Sequence, residues 1–211
     1  MSAPRRLEYK EGPGGPIPVY ATGEVEQPWS SYHADEHRLW GELLAHQTAR
    51  VKGLACPEFV SGLATLELTS EAIPRFEDLS LRLRAASGWT VVGVEGLLPA
   101  EVFFGHLAAR RFPVTWWLRR PEQRDYIAEP DLFHDLFGHL PMMCDRRLGD
   151  FVQAYAAAAI REPADSPVLV ALTRLYWYTV EFGLWGTLES PRLSGAGLLS
   201  SASESAAALG T

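Results

Sequence analysis

The spacing of apolar residues predicts a succession of helices punctuated by prolines. From Ser31 to Val51, Trp40, Leu43 and Leu44 recur at helical spacing, and Ser31 and Asp35 suit the N-terminal end. Pro57 opens a second helix carrying Phe59, Val60, Leu63 and Leu66. Ile73-Pro74 begins a third, with Phe76, Leu79, Leu81 and Leu83, ending near Gly88. The β-branched and aromatic run from Trp89 to Val94 predicts a short strand, and Phe112 to Leu118 a second, with Pro113 at its start or on an edge. Between them Pro99 starts a helix through Phe103, Phe104 and Leu107. Pro130 opens a helix that Pro141 closes, Leu148 to Ile160 is Ala-rich and helical, and Pro167 precedes a long helix to about Phe182. Residues 1–30, rich in Gly, Pro and charge, read as a loosely ordered arm, and residues 31–211 as a single domain. The fold class is therefore mainly α with a few short strands (α+β), without internal repeats.

Composition narrows the function classes. A chain of 211 residues with 47% hydrophobic residues can build one real core. A net charge of −7 opposes binding to nucleic acid or an anionic membrane. No apolar run is long enough to span a bilayer, and the N-terminus lacks the apolar stretch of a signal peptide. Two cysteines, Cys56 and Cys144, make no disulfide framework, so the expected compartment is the cytoplasm. A monomer is the simplest expectation.

Candidate chemistry lies in two blocks. The first, Glu129-Pro130-Asp131-Leu132-Phe133-His134-Asp135-Leu136-Phe137-Gly138-His139-Leu140-Pro141, holds two histidines, and the second, Tyr176 to Leu184, holds one carboxylate, Glu181. Two imidazoles and a carboxylate are the ligand set of a non-haem Fe(II) site with open coordination positions. His134 and His139 are five residues apart (139 − 134), which on a regular helix separates them by roughly 140°. Their convergence needs a distortion or a helix end, which Gly138 and Pro141 offer. Glu181 is the only acidic residue from Ser166 to Leu188, in surroundings apolar on all sides that indicate a buried helix. A buried carboxylate must be paired, hydrogen-bonded or metal-bound; an ion pair with Arg174 is the bland alternative, as ordinary cap or core roles are for the two histidines. Glu181 also has the character of a general base.

These blocks closely resemble the pterin-dependent aromatic amino acid hydroxylases. The first is similar to that family's iron-binding segment, Tyr176-Trp177-Tyr178-Thr179-Val180-Glu181-Phe182-Gly183-Leu184 to its second signature, and Gly195-Ala196-Gly197-Leu198-Leu199-Ser200-Ser201 to its third. The resemblance runs from Gln27 to about Glu204 and looks nearest the short bacterial phenylalanine 4-hydroxylases. It implies His134, His139 and Glu181 as iron ligands and catalytic centre. It implies Gly96, Leu97, Leu98, Phe103, Asp135 and Tyr176 beside a tetrahydropterin such as tetrahydrobiopterin. It implies Arg119 on the carboxylate of the amino acid, oriented by Asp131, with Pro130, Trp177, Gly197 and Ser200 around the ring. Fe(II) and the pterin would share activation of O2, and L-phenylalanine would give L-tyrosine. Trp177 points away from the tryptophan hydroxylases, whose segment has phenylalanine there.

The resemblance has departures. Ser194 stands where the signature has tyrosine, and Ser203 where it has glycine. Family catalytic domains also continue past this point, so the C-terminal part of the domain is expected to be missing. The alternatives are a biosynthetic aromatic hydroxylase of different substrate or ring position, and a truncated non-catalytic paralogue.

Overall fold

The computed structural model describes residues 6–12, 15–20, 23–163 and 165–210. Strand β1 (Arg6–Gly12) pairs antiparallel with β2 (Gly15–Tyr20). Part of the expected loose arm is thus a hairpin, and its residues 1–5, 13, 14, 21 and 22 lie outside the described residues. The rest of the arm is pinned: Val25 N–H donates to Gly93 O at 2.9 Å, and Trp29 Nε1 to Ile73 O at 2.7 Å. The Gly and Pro content of the arm concealed these specific bonds.

Helix α1 (Ala34–Val51) opens where the backbone N–H of His33 donates to Glu36 Oε2 at 2.8 Å. Then come α2 (Pro57–Leu66) and α3 (Phe76–Ser87). The latter ends at Gly88, whose φ of 84° needs a residue without Cβ and lets its N–H reach the carbonyls of Leu83 and Arg84. Strands β3 (Thr90–Val94) and β4 (Arg111–Thr115) form a parallel pair joined through α4 (Ala100–Ala108), with Val94 opposite Thr115 at their C-terminal ends. In a two-stranded sheet both strands are edges, so Pro113 sits within β4.

Leu132 begins the central helical segment, which winds as a π-helix over His134–His139 and continues as α5 (Leu140–Met143). Two expectations are corrected here. The helix starts two residues beyond Pro130, where Asp131 Oδ1 accepts the backbone N–H of His134 at 3.0 Å. Pro141 does not close it. Pro141 lies in the first turn of α5, directly after the π turn in which Leu140 N–H bonds Asp135 O, and an early helical position tolerates a missing N–H.

Helix α6 (Arg146–Ala159) is capped by Asp145, and α7 (Pro167–Tyr176) by Ser166; α7 runs into a second π turn over Trp177–Glu181. Strands β5 (Leu184–Thr187) and β6 (Ser190–Leu193) form a hairpin, followed by α8 (Ala196–Ser200) and α9 (Ala202–Leu209). The core gathers Trp40, Phe59, Phe133, Phe137, Leu140 and Leu199 around the central segment, with Phe133 and Phe137 stacked at 5.1 Å. No helix among the described residues is long and apolar enough to cross a membrane.

The 166–188 stretch is not the buried helix that its composition indicates. Leu169 and Tyr176 are buried, but Val168, Val170, Leu175, Trp177, Tyr178, Leu184 and Trp185 are exposed, and Leu188 is 97% exposed. Composition gives the apolar face; it does not say whether another element covers it.

Candidate metal centre

The π winding solves the spacing problem of the histidines. Hydrogen bonds that close on the fifth residue bring positions five apart onto one face, so His139 stacks beyond His134. Their rings lie 4.9 Å apart at 87°. The other faces of the same segment carry Phe133, Leu136 and Phe137 into the core. Gly138 is required for a reason other than a turn: a Cβ there would meet Ala196 O at 2.8 Å, so only glycine lets α8 approach this closely.

Glu181 reaches the pair from the second π turn. Its Oε1 is 2.9 Å from His139 Nε2 and its Oε2 is 3.5 Å from His134 Nε2. The three side chains bring their ligand atoms within 4.8 Å of one another. Arg174 is exposed, and among the described residues its ion pair with Glu181 does not form. His134 Nδ1 is 2.8 Å from Ser200 Oγ, which leaves Nε2 turned toward Glu181. Two Nε2 atoms and a carboxylate around one point fit a divalent metal such as iron, and a hydroxyl behind one histidine is the kind of support that orients such ligands.

Electrostatics divide the trio. Burial dominates at His134 and lowers its pKa to about 4, although Glu181 pulls the other way. At His139 burial also disfavours the cation, but the attraction and hydrogen bond of Glu181 outweigh it and the pKa is raised. Burial would raise Glu181, yet His139 and His134 together bring it down to about 2. Asp135, fully desolvated and accepting Thr115 N–H at 2.7 Å, is pushed up to about 7 by burial. Tyr176 lies well above its ordinary value, again mainly through burial.

The trio opens into a cavity of about 530 Å³ at the C-terminal ends of β3 and β4. Gly96, Leu97, Leu98 and Phe103 line it on one side, with Asp135 and Tyr176 beside the trio. Pro130, Trp177, Gly197 and Ser200 line it elsewhere, Trp177 with 56% of its surface exposed. Arg119 lines it too, and Asp131 stands behind Arg119. Arg119 Nε and Nη2 bond the two Asp131 oxygens at 2.9 and 2.8 Å, with side-chain exposures of 2% and 0%. This is a buried bidentate pair.

All the residues named from the sequence are therefore in or directly behind one cavity. Sequence reading missed the contribution of Ser200 to His134, the backbone N–H of Thr115 on Asp135, and Glu204, which also lines the cavity. Only Glu204 left a signal, as the sole charged residue after Arg192. Ser194, at the position that departs from the signature, bonds Gly183 O at 2.9 Å.

Comparison with known proteins agrees with this fold. Residues 19–211 match the family described as biopterin-dependent aromatic amino acid hydroxylase, and the chain belongs to that family. It is 49% identical over 181 residues to phenylalanine-4-hydroxylase of Chromobacterium violaceum, covering 86% of this chain and 61% of that protein. It is 49% identical over 185 residues to the enzyme of the same name from Ralstonia nicotianae, covering 88% and 59%. The chain thus spans about three fifths of the length of these relatives. A crystal structure of the C. violaceum enzyme with bound iron(III) and 7,8-dihydrobiopterin superposes with a TM-score of 0.85 at 48% identity, covering 89% of this chain and 69% of that one.

Proposed function

We propose that this chain carries the catalytic centre of an iron- and tetrahydropterin-dependent monooxygenase that hydroxylates the ring of L-phenylalanine to give L-tyrosine. One observation carries the reading: His134, His139 and Glu181 converge in the wall of the same apolar cavity that holds the buried Arg119–Asp131 pair. In support, the C. violaceum relative has been crystallised with iron and phenylalanine bound.

In this reading His134, His139 and Glu181 hold Fe(II). Gly96, Leu97 and Leu98 would hold the pterin edge through the backbone, with Phe103, Asp135 and Tyr176 around it in the same cavity. When bound, iron and tetrahydropterin supply the activation of O2. The protein's own groups do the rest. Ser200 Oγ, 2.8 Å from His134 Nδ1, would accept the Nδ1 proton once the Nε2 lone pair is turned to the metal. Arg119, held flat by Asp131, grips the carboxylate of the amino acid. Pro130, Trp177 and Gly197 wall the ring and exclude water. Residues 31–211 act as one catalytic unit, cytoplasmic and monomeric.

The test is product formation from L-phenylalanine with Fe(II), a tetrahydropterin and O2, read by chromatography. Tyrosine is expected. Another hydroxylated isomer would move the assignment to a different ring position, and no product from soluble, iron-loaded protein would overturn it.

A further inference from the structure

The carboxylates lining the cavity are unequally committed. Glu181 is engaged by His139, Asp135 accepts the N–H of Thr115, and Glu129 is exposed. Glu204 is half-buried in the wall, and among the described residues its carboxylate takes part in no hydrogen bond or ion pair. It sits in the first turn of α9, where an acidic residue has an ordinary reason to be. That reason does not account for its place in the wall of a largely apolar cavity.

Its neighbours say what lies opposite. Ser201, which caps α9 by accepting Glu204 N–H at 3.4 Å, donates its hydroxyl to Asp125 O at 3.4 Å. Arg119 Nη1 donates to the adjacent carbonyl, Arg124 O, at 3.3 Å. Consecutive carbonyls thus tie the guanidinium and the start of α9 to the same end of the cavity. Ser200, one residue before the cap, is bonded to His134. Arg119, Glu204 and His134 all line this one cavity. That arrangement complements a zwitterion attached to a ring.

We infer that Glu204 binds the α-ammonium of the substrate while Arg119 binds its carboxylate, so that the site selects free amino acids over aromatic acids lacking the amino group. The inference rests on the function proposed above and names what that function leaves unassigned. An ammonium taken from water into this wall needs an acceptor, and a site built to bond a substrate group discriminates strongly against analogues lacking it.

The experiment is calorimetric binding of L-phenylalanine and of 3-phenylpropanoate to the Fe(II)-loaded chain under anaerobic conditions. Wild type is compared with Glu204→Gln and Glu204→Asp. Glu204→Gln is expected to weaken L-phenylalanine about 10- to 100-fold and to leave 3-phenylpropanoate unchanged, with Glu204→Asp recovering part of the loss. Equal weakening of both ligands would mark a structural role and overturn the inference. So would unchanged binding of L-phenylalanine, or a selective loss found only in Glu129→Gln. Failure of the wild type to bind either ligand would strike the reading of the cavity as an amino acid site, and this inference with it.

Discussion

The two π turns do the same task in different surroundings. His134–His139 presents its two candidate ligands from a segment packed into the core, with Leu136 and Phe137 buried and α8 pressed against Gly138. Trp177–Glu181 presents Glu181 from a segment whose outer side, Trp177 and Tyr178, is exposed and continues into the exposed strand β5. Both change the helical repeat so that a ligand points inward, a device that recurs at functional sites. Placement of the candidate ligands therefore depends on local winding, while rigidity depends on what packs behind it.

Four substitutions probe that contrast. Asp131→Asn should have the largest effect on stability. It leaves the Arg119 charge buried without compensation, at a cost of about 3–5 kcal/mol in denaturant unfolding. A cost below about 1 kcal/mol would mean that the pair is solvated in solution. Ser200→Ala removes the hydrogen bond behind His134 and should weaken metal binding about 10- to 100-fold with little change in fold. Gly138→Ala forces its methyl against the carbonyl of Ala196, with an expected loss of about 1–3 kcal/mol by thermal unfolding. Val170→Gln, on the exposed face of α7, should change stability by no more than about 0.5 kcal/mol. A larger loss there would show that this face is covered in solution.

The pH dependence separates the same groups. In the metal-free protein Glu181 is depressed to about 2, so its contribution to stability is present above its ordinary 4.5 and is lost as pH falls toward 2. His139 is raised, so its contribution is full below its ordinary 6.5 and is lost as pH rises through the folded value. Metal binding must displace that proton, whereas His134, at about 4, is already neutral. Calorimetry in two buffers of different ionisation enthalpy should therefore register proton release on metal binding near neutral pH, growing as pH is lowered.

Much of this was legible in the sequence, for physical reasons. Prolines at positions 57 and 167 begin helices because a helix start loses nothing from a missing N–H. The candidate trio could be named from residue types, and its need for a distortion from the spacing of five. The form of the distortion could not be read, because π winding follows from packing against α8 and the core. The same holds for Ser200, whose partner lies 66 residues away in sequence. The exposed face of α7 also escaped, since an apolar segment looks the same whether or not another element lies on it.

The ligand assignment is decided by iron content per chain after Fe(II) loading and desalting, measured for wild type, His139→Ala and Glu181→Gln. Near-stoichiometric iron is expected in the wild type and almost none in His139→Ala, with a sharp loss in Glu181→Gln. Unchanged iron in the two variants would place the metal elsewhere and contradict the assignment of the ligands.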